Sequence, residues 1–253
     1  MSRFAGQKAV VTGGTHGMGL AIVEALLAEG AEVVLTGRNE KTLEEARTEL
    51  AGAAAHVVRS DAASTADIAA LADLVHRELG HVDHLFVNHG IAEFAELGEV
   101  TEASWDRHFA VNTKGAFFTV QALAPLIEEG GSVVFTTVAN DVVFPGLSAY
   151  SASKEATRAF AHVLAAELLP RRIRVNSVAP GFIETPSMGV SGLSEEERRE
   201  FVRQGEETTP LQRTGTMAEV AAAALFLAGD ATFTTNVEFA VDGGFAQGLV
   251  AAH

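Results

Sequence analysis

Short runs of β-branched and apolar residues recur along the chain, each followed by a longer stretch with helical spacing. Candidate strands fall at residues 9–12, 32–36, 56–59, 84–88, 132–137, 173–178 and 238–241. Helix-length segments begin near Met18, Glu40, Thr65, Thr101, Lys114, Tyr150 and Met217. Strand alternating with helix predicts parallel pairing, because a parallel connection needs a crossover long enough to hold a helix. Most of the strands are apolar at successive positions rather than alternate ones, the pattern of strands covered on both faces. The prediction is an α/β fold: a single domain over residues 1–253, with a doubly wound parallel sheet of about seven strands and helices on both faces. One segment breaks the rhythm. Residues 186–210 are polar and rich in Ser, Glu and Arg, with a short helix expected near 194–204. Such an excursion is usually either functional or disordered. It follows the sixth strand, at the carboxyl edge of the sheet where ligands bind, so a substrate lid is expected there.

Composition narrows the partners. A chain of 253 residues with 47% apolar content can bury a full core. A net charge of −15 argues against nucleic acid and anionic membrane surfaces, which require a basic patch. With no cysteine, neither disulfides nor thiolate metal sites are available. The N-terminal residues run into a strand pattern without a signal-peptide stretch, and the longest apolar runs are too short for a bilayer, so a cytoplasmic protein is expected. His81 and His84 have a metal-like spacing but no third ligand nearby, and no metal is expected.

The first strand leads into Thr12-Gly13-Gly14-Thr15-His16-Gly17-Met18-Gly19 and then an amphipathic helix. Glycines let backbone approach a pyrophosphate, and a helix N-terminus offers it free N–H groups, as in Rossmann-type dinucleotide binding. Gly13, Thr15, His16, Gly17, Met18 and Gly19 are therefore candidate cofactor contacts. NAD enzymes commonly place an acidic residue at the end of the second strand to hold the ribose 2′-OH. Here that position reads Thr36-Gly37-Arg38-Asn39. Gly37 offers no carboxylate, and the planar fork of Arg38 suits a 2′-phosphate. NADP(H) is the expected cofactor, with NAD(H) the alternative. His16, where a fixed cation would suit NADP better, can still protonate beside a phosphate.

The single tyrosine, Tyr150, lies four residues before Lys154 in Tyr-Ser-Ala-Ser-Lys. Residues i and i+4 share a helix face, so the phenol and the ammonium can converge. A nearby cation favours the phenolate, and the expectation is a Tyr150 pKa lowered toward the range useful for acid–base work.

The glycine spacing of three residues then one, with Tyr-x-x-x-Lys far downstream, resembles the short-chain dehydrogenase/reductase family. The resemblance covers nearly the whole chain: Asp61 after the third strand, Val87-Asn88-His89-Gly90 after the fourth and Asn112 in Asn-Thr-Lys-Gly. It continues through Pro180-Gly181-Phe182-Ile183-Glu184-Thr185 to Val241-Asp242-Gly243-Gly244. It implies an active site of Asn112, Thr137, Tyr150 and Lys154. Tyr150 would exchange the proton of the substrate oxygen, Lys154 would assist it and hold the nicotinamide ribose, Asn112 would hold a relaying water, and Thr137 would bond the carbonyl oxygen. It also implies cofactor contacts from Asp61, Asn88, Gly90, Tyr150, Lys154, Pro180, Gly181, Ile183 and Thr185. Two positions depart from the family pattern. Thr137 stands where serine is usual, and His89 where a small residue is usual; His89 is expected to fill space. Substrate contacts are expected from Phe94, Asn140, Phe144, Phe182, Met188 and the lid, a mixture suited to a small or medium ketone or alcohol. An acyl carrier protein, itself acidic, would be repelled by this acidic chain. The resemblance implies a homotetramer. Two alternatives remain, an NAD-linked alcohol dehydrogenase of the same family and a non-catalytic sensor of NADP(H); turnover separates the last from the others.

Overall fold

The computed structural model describes residues 2–139, 145–185 and 194–249. Seven parallel strands form one sheet in the order β3-β2-β1-β4-β5-β6-β9. They are β1 (Lys8–Thr12), β2 (Glu32–Gly37), β3 (Ala55–Arg59), β4 (Val82–Val87), β5 (Ile127–Thr136), β6 (Arg174–Pro180) and β9 (Glu238–Val241). Between them run α1 (Gly17–Ala28), α2 (Glu40–Glu49), α3 (Thr65–Glu78), α4 (Glu102–His108), α5 (Ala116–Leu123), α6 (Ser148–Leu168), α7 (Glu195–Thr208) and α8 (Met217–Leu225). All seven expected strands are present in the expected parallel sense.

The unbroken apolar runs follow from burial on both faces. Successive strand residues point to opposite sides. Ala9, Val11, Val33 and Leu35 pack with Ile22 and Leu26 of α1 and with Val220 and Ala224 of α8. Val10, Val34, Leu85 and Phe135 pack on the other side with Leu71 of α3, Val120 of α5 and Leu164 of α6. The register sets Val10 beside Val34 on one flank and Leu85 on the other. Strand order reverses between β1 and β4, and a crevice opens at their carboxyl ends.

Four helix starts are held by side chains. Asn39 accepts from the N–H groups of Lys41 and Thr42, Ser64 from Asp67, Thr101 from Ser104, and Thr216 forms a capping box with Glu219. Among the described residues none caps α1 in this way: its N-cap, His16, is extended and makes no side-chain cap bond.

Three features differ from the sequence reading. The helices expected near Thr101 and Lys114 are one continuous helical stretch, joined through a π-helical segment at Phe109–Gly115. An extra residue lodged in a helix leaves no hydrophobic signature. A two-residue pair, β7 (Ile183–Glu184) with β8 (Gly215–Thr216), is too short to pattern. The polar excursion contains α7, longer than expected, while residues 186–193, including Met188, and Asn140 and Phe144 lie outside the described residues.

His84, half of the metal-like spacing, is buried in β4. Its Nδ1 lies 2.8 Å from Ser132 Oγ and its Nε2 2.9 Å from Gln7 Oε1. Burial lowers its pKa from 6.5 to about 4. The unfolded chain therefore takes up this proton first as pH falls, and stability is lost on acidification between 6.5 and about 4. The loss attributable to His84 should approach roughly 3 kcal/mol. Urea unfolding at neutral and mildly acidic pH should show it, and His84→Gln should shrink the difference between the two.

Candidate active site

A cleft of about 650 Å³ opens at the carboxyl ends of the central strands, and every expected cofactor-binding residue lines it. Its floor is the turn from β1 into α1. Gly13 and Gly17 have φ of 64° and 59°, a region that favours glycine. A Cβ on Gly13 would stand 2.8 Å from His89 Cα, and one on Gly19 would collide with the Gly13 carbonyl. Around Gly17 the same test meets nothing within 4 Å. The turn is thus pressed against the protein on one side and open on the other, beside the uncapped amides of α1. Asn88 Nδ2 donates to the Gly13 carbonyl at 3.1 Å, and Asn88 N donates to Thr12 Oγ1 at 3.1 Å, tying the two lips of the crevice.

At the end of β2 the glycine has a steric reason. A Cβ on Gly37 would lie 2.5 Å from Thr15 Oγ1 and 2.6 Å from Thr15 Cγ2. Thr15 Oγ1 in turn lies 3.1 Å from Thr42 Oγ1. Arg38 is 60% exposed, and its contact with Asp61 is long at 3.9 Å. Asp61 also accepts from Ala63 N at 3.0 Å.

Tyr150 and Lys154 occupy the first two turns of α6 and reach the cleft from its opposite wall. Burial pushes the phenol up to about 12 and pulls the ammonium down to about 8. This corrects the expectation that Lys154 lowers the phenol. Lys154 Nζ donates to the Thr136 carbonyl at 2.8 Å, and desolvation governs both groups.

Asn112 stands behind the cleft wall, in the π-helical segment. Its Oδ1 accepts from Ile91 N at 2.8 Å, while Nδ2 donates to Ile91 O and to Ser153 Oγ, each at 2.9 Å. A Cβ on Gly90 would lie 3.1 Å from Lys154 Nζ and 3.3 Å from Asn112 Oδ1. The space beside Gly90 is therefore bounded by both polar groups.

Thr137 lines the cleft, but its hydroxyl is directed to Glu238 Oε1 at 2.6 Å and Val178 O at 3.0 Å. Sequence reasoning missed Glu238. The signal was an acidic residue inside the apolar run Glu-Phe-Ala-Val. His89 is buried with Nδ1 2.7 Å from Thr12 Oγ1; burial first, then the charge of Lys154, lowers its pKa to about 4. On the far wall, Thr185 Oγ1 is buried without a hydrogen-bond partner among the described residues. Arg198 of α7 donates to the Thr185 carbonyl at 2.9 Å. A Cβ on Gly205 of the same helix would stand 2.7 Å from the Phe182 ring, so α7 is packed against this wall. Phe182 lines the cleft, whereas Phe94 is exposed outside its lining.

Residues 13–246 match the family described as enoyl-(acyl carrier protein) reductase. An uncharacterized oxidoreductase of Methylorubrum extorquens is 37% identical over 235 residues, covering 91% of this chain and 93% of that protein. An NADP-dependent (R)-specific alcohol dehydrogenase of Lentilactobacillus kefiri is 33% identical, covering 96% and 98%. The solved structure of a short-chain dehydrogenase/reductase from Serratia marcescens is similar at a TM-score of 0.87 and 28% identity, covering 96% of this chain and 99% of that one.

Because Tyr150 is the single tyrosine, alkaline absorbance reports its ionisation alone. The folded protein should show no phenolate up to at least the free value of about 10. An inflection below that value would mean that Lys154, not burial, governs the phenol.

Proposed function

This chain belongs to the short-chain dehydrogenase/reductase family of oxidoreductases, and from that premise we propose that it interconverts a ketone or aldehyde carbonyl and an alcohol using NADP(H), with Tyr150 as general acid and base. The observation that carries this reading is the meeting of a glycine cradle with Tyr150 and Lys154 in one cleft.

The residues present fit a nicotinamide dinucleotide. The open side of Gly17 and the uncapped start of α1 suit a pyrophosphate. The orphaned hydroxyl of Thr185 suits a carboxamide. Arg38, loosely engaged by Asp61, suits a 2′-phosphate, and Thr15 leaves no room for a carboxylate at position 37. When bound, the cofactor supplies or accepts the hydride. The chain's own residues handle the proton. With a pKa near 12, Tyr150 is protonated at neutral pH and can give its proton to a carbonyl oxygen. Lys154 and Asn112 Oδ1 bound the space beside Gly90 through which that proton is replaced.

The same reading makes the chain one domain, with α7 as the lid over the Phe182 wall, and places it in the cytoplasm. No helix among the described residues is long and apolar enough to cross a membrane. A homotetramer is supported by exposed Val163 on α6 and Trp105 on the adjoining α4, and by exposed Phe226, Phe233 and Phe239 near the free edge of β9.

A panel of ketones and aldehydes read by NADPH consumption should give turnover, and Tyr150→Phe should cost about 10²–10⁴-fold. No turnover on a broad panel would remove the reading. Cofactor choice is tested by binding. Arg38→Ala should weaken NADPH about tenfold or more, as expected for loss of a charge-assisted bidentate contact, and leave NADH little changed. Gly37→Asp alone should lose NADPH without gaining NADH, because Thr15 blocks the new side chain. Thr15→Ala with Gly37→Asp should gain NADH. Wild-type preference for NADH would refute the NADP assignment.

A further inference from the structure

Sheet order gives the cleft two unlike ends. Toward β2 and β3 it is bordered by Arg38 and Asp61, and toward β6 and β9 by Phe182 and Phe245. Helix α6, which carries Tyr150, packs on β6. The remaining lining contributed after β5 and at the start of α6 is Val138, Ala139 and Leu147. Besides Arg38 and Asp61, the lining holds one charged side chain, Lys154, whose Nζ is already bonded to the Thr136 carbonyl. Among the described residues, no cation therefore borders the aromatic end. An anionic group placed there would lose its water without gaining a counter-charge, which is costly.

Phe245 stands outside the substrate contacts expected from the sequence. The fold holds it firmly. Asp242 accepts from the N–H groups of Gly244 and Ala246, each at 2.9 Å, and Phe245 N donates to the Asp242 carbonyl at 3.1 Å. Gly181 N donates to the Val241 carbonyl at 3.1 Å, and a Cβ on Gly181 would stand 2.8 Å from Asp242 Cα. The ends of β6 and β9 are thus pressed together, and their aromatic residues meet edge to face, with ring centroids 5.0 Å apart at 78°. Phe182 is buried between this ring and α7, while Phe245 is half-buried and lines the cleft. A fixed ring with surface left over favours a further ring, through edge and face contacts that an alkyl group does not make.

We propose that Phe245 is a specificity-determining residue and that the carbonyl substrate is uncharged and carries an aryl group, packed against the Phe182–Phe245 pair. This deepens the oxidoreductase reading above and rests on it.

Reduction of acetophenone, butan-2-one and 4-acetylbenzoate by NADPH tests it. Wild-type protein should favour acetophenone over each of the others by about tenfold or more in kcat/KM, from the larger apolar area against the alkyl ketone and the carboxylate penalty against the benzoate. Phe245→Ala should cut the preference over butan-2-one about tenfold, mostly through KM, with the NADPH dissociation constant unchanged. Phe245→Leu keeps apolar volume without the ring, and should cut it about threefold. An unaltered preference in both variants, or wild-type preference for 4-acetylbenzoate or butan-2-one, would overturn the proposal and leave the oxidoreductase reading standing. Absence of turnover on every carbonyl would sink that reading, and the aryl site is then judged by saturation-transfer NMR with 1-phenylethanol, with and without NADP. Its ring protons should receive saturation from wild-type protein and lose most of it in Phe245→Leu. No transfer from wild-type protein, or equal transfer from the variant, would overturn the aryl site too.

Discussion

The closeness of two loops at the point where strand order reverses governs the rest of this structure. The turn after β1 and the segment after β4 approach until a methyl group on Gly13 would stand 2.8 Å from His89 Cα. Asn88 and Thr12 bind the lips together with hydrogen bonds of 3.1 Å. This approach aims the start of α1 into the crevice and leaves its amides without a side-chain cap. It also sets where Gly90 sits, and hence the small space that Lys154 and Asn112 face.

A second set of bonds carries that placement to α6. Asn112 grips Ile91 through both amide atoms and reaches Ser153 at 2.9 Å. Ser153 Oγ donates to the Tyr150 carbonyl at 2.7 Å, and Thr157 Oγ1 donates to the Asn112 carbonyl at 2.8 Å. The π-helical segment matters here because it displaces Asn112 from regular helical register, where such irregularities commonly serve a site. Cradle and acid–base pair are therefore parts of one bonded unit, which suits chemistry that is lost by displacements near 1 Å.

The parts legible in the sequence share a cause: each is written in local residue order. Val10 and Val11 reveal strands covered on both faces because the side-chain period is two. Gly13, Gly17 and Gly19 reveal a tight turn because two of them need positive φ and the third has no room for a Cβ. Tyr150 and Lys154 reveal a shared face through helical spacing. What stayed hidden depends on residues far apart in the chain. Glu238 meets Thr137 across 101 positions. Thr15 explains Gly37 by filling its space. The sign of the Tyr150 shift was misjudged because spacing tells which groups converge, not how much water they lose.

That sign bears on how the pair would work under the proposed function. A phenol near 12 is a reluctant acid, and Lys154 near 8 is itself held below its ordinary value by burial. At neutral pH both carry their protons, and the phenol, being neutral, gains little from the cation. Once the proton has moved to a substrate oxygen, a phenolate stands near an ammonium in the same desolvated wall. Whatever attraction the ammonium offers that phenolate is already contained in a phenol pKa of about 12, so desolvation outweighs it in this cleft. Under the proposed function the acid step therefore draws on interactions with the substrate oxygen, which lower the barrier only where they are stronger in the transition state than at rest.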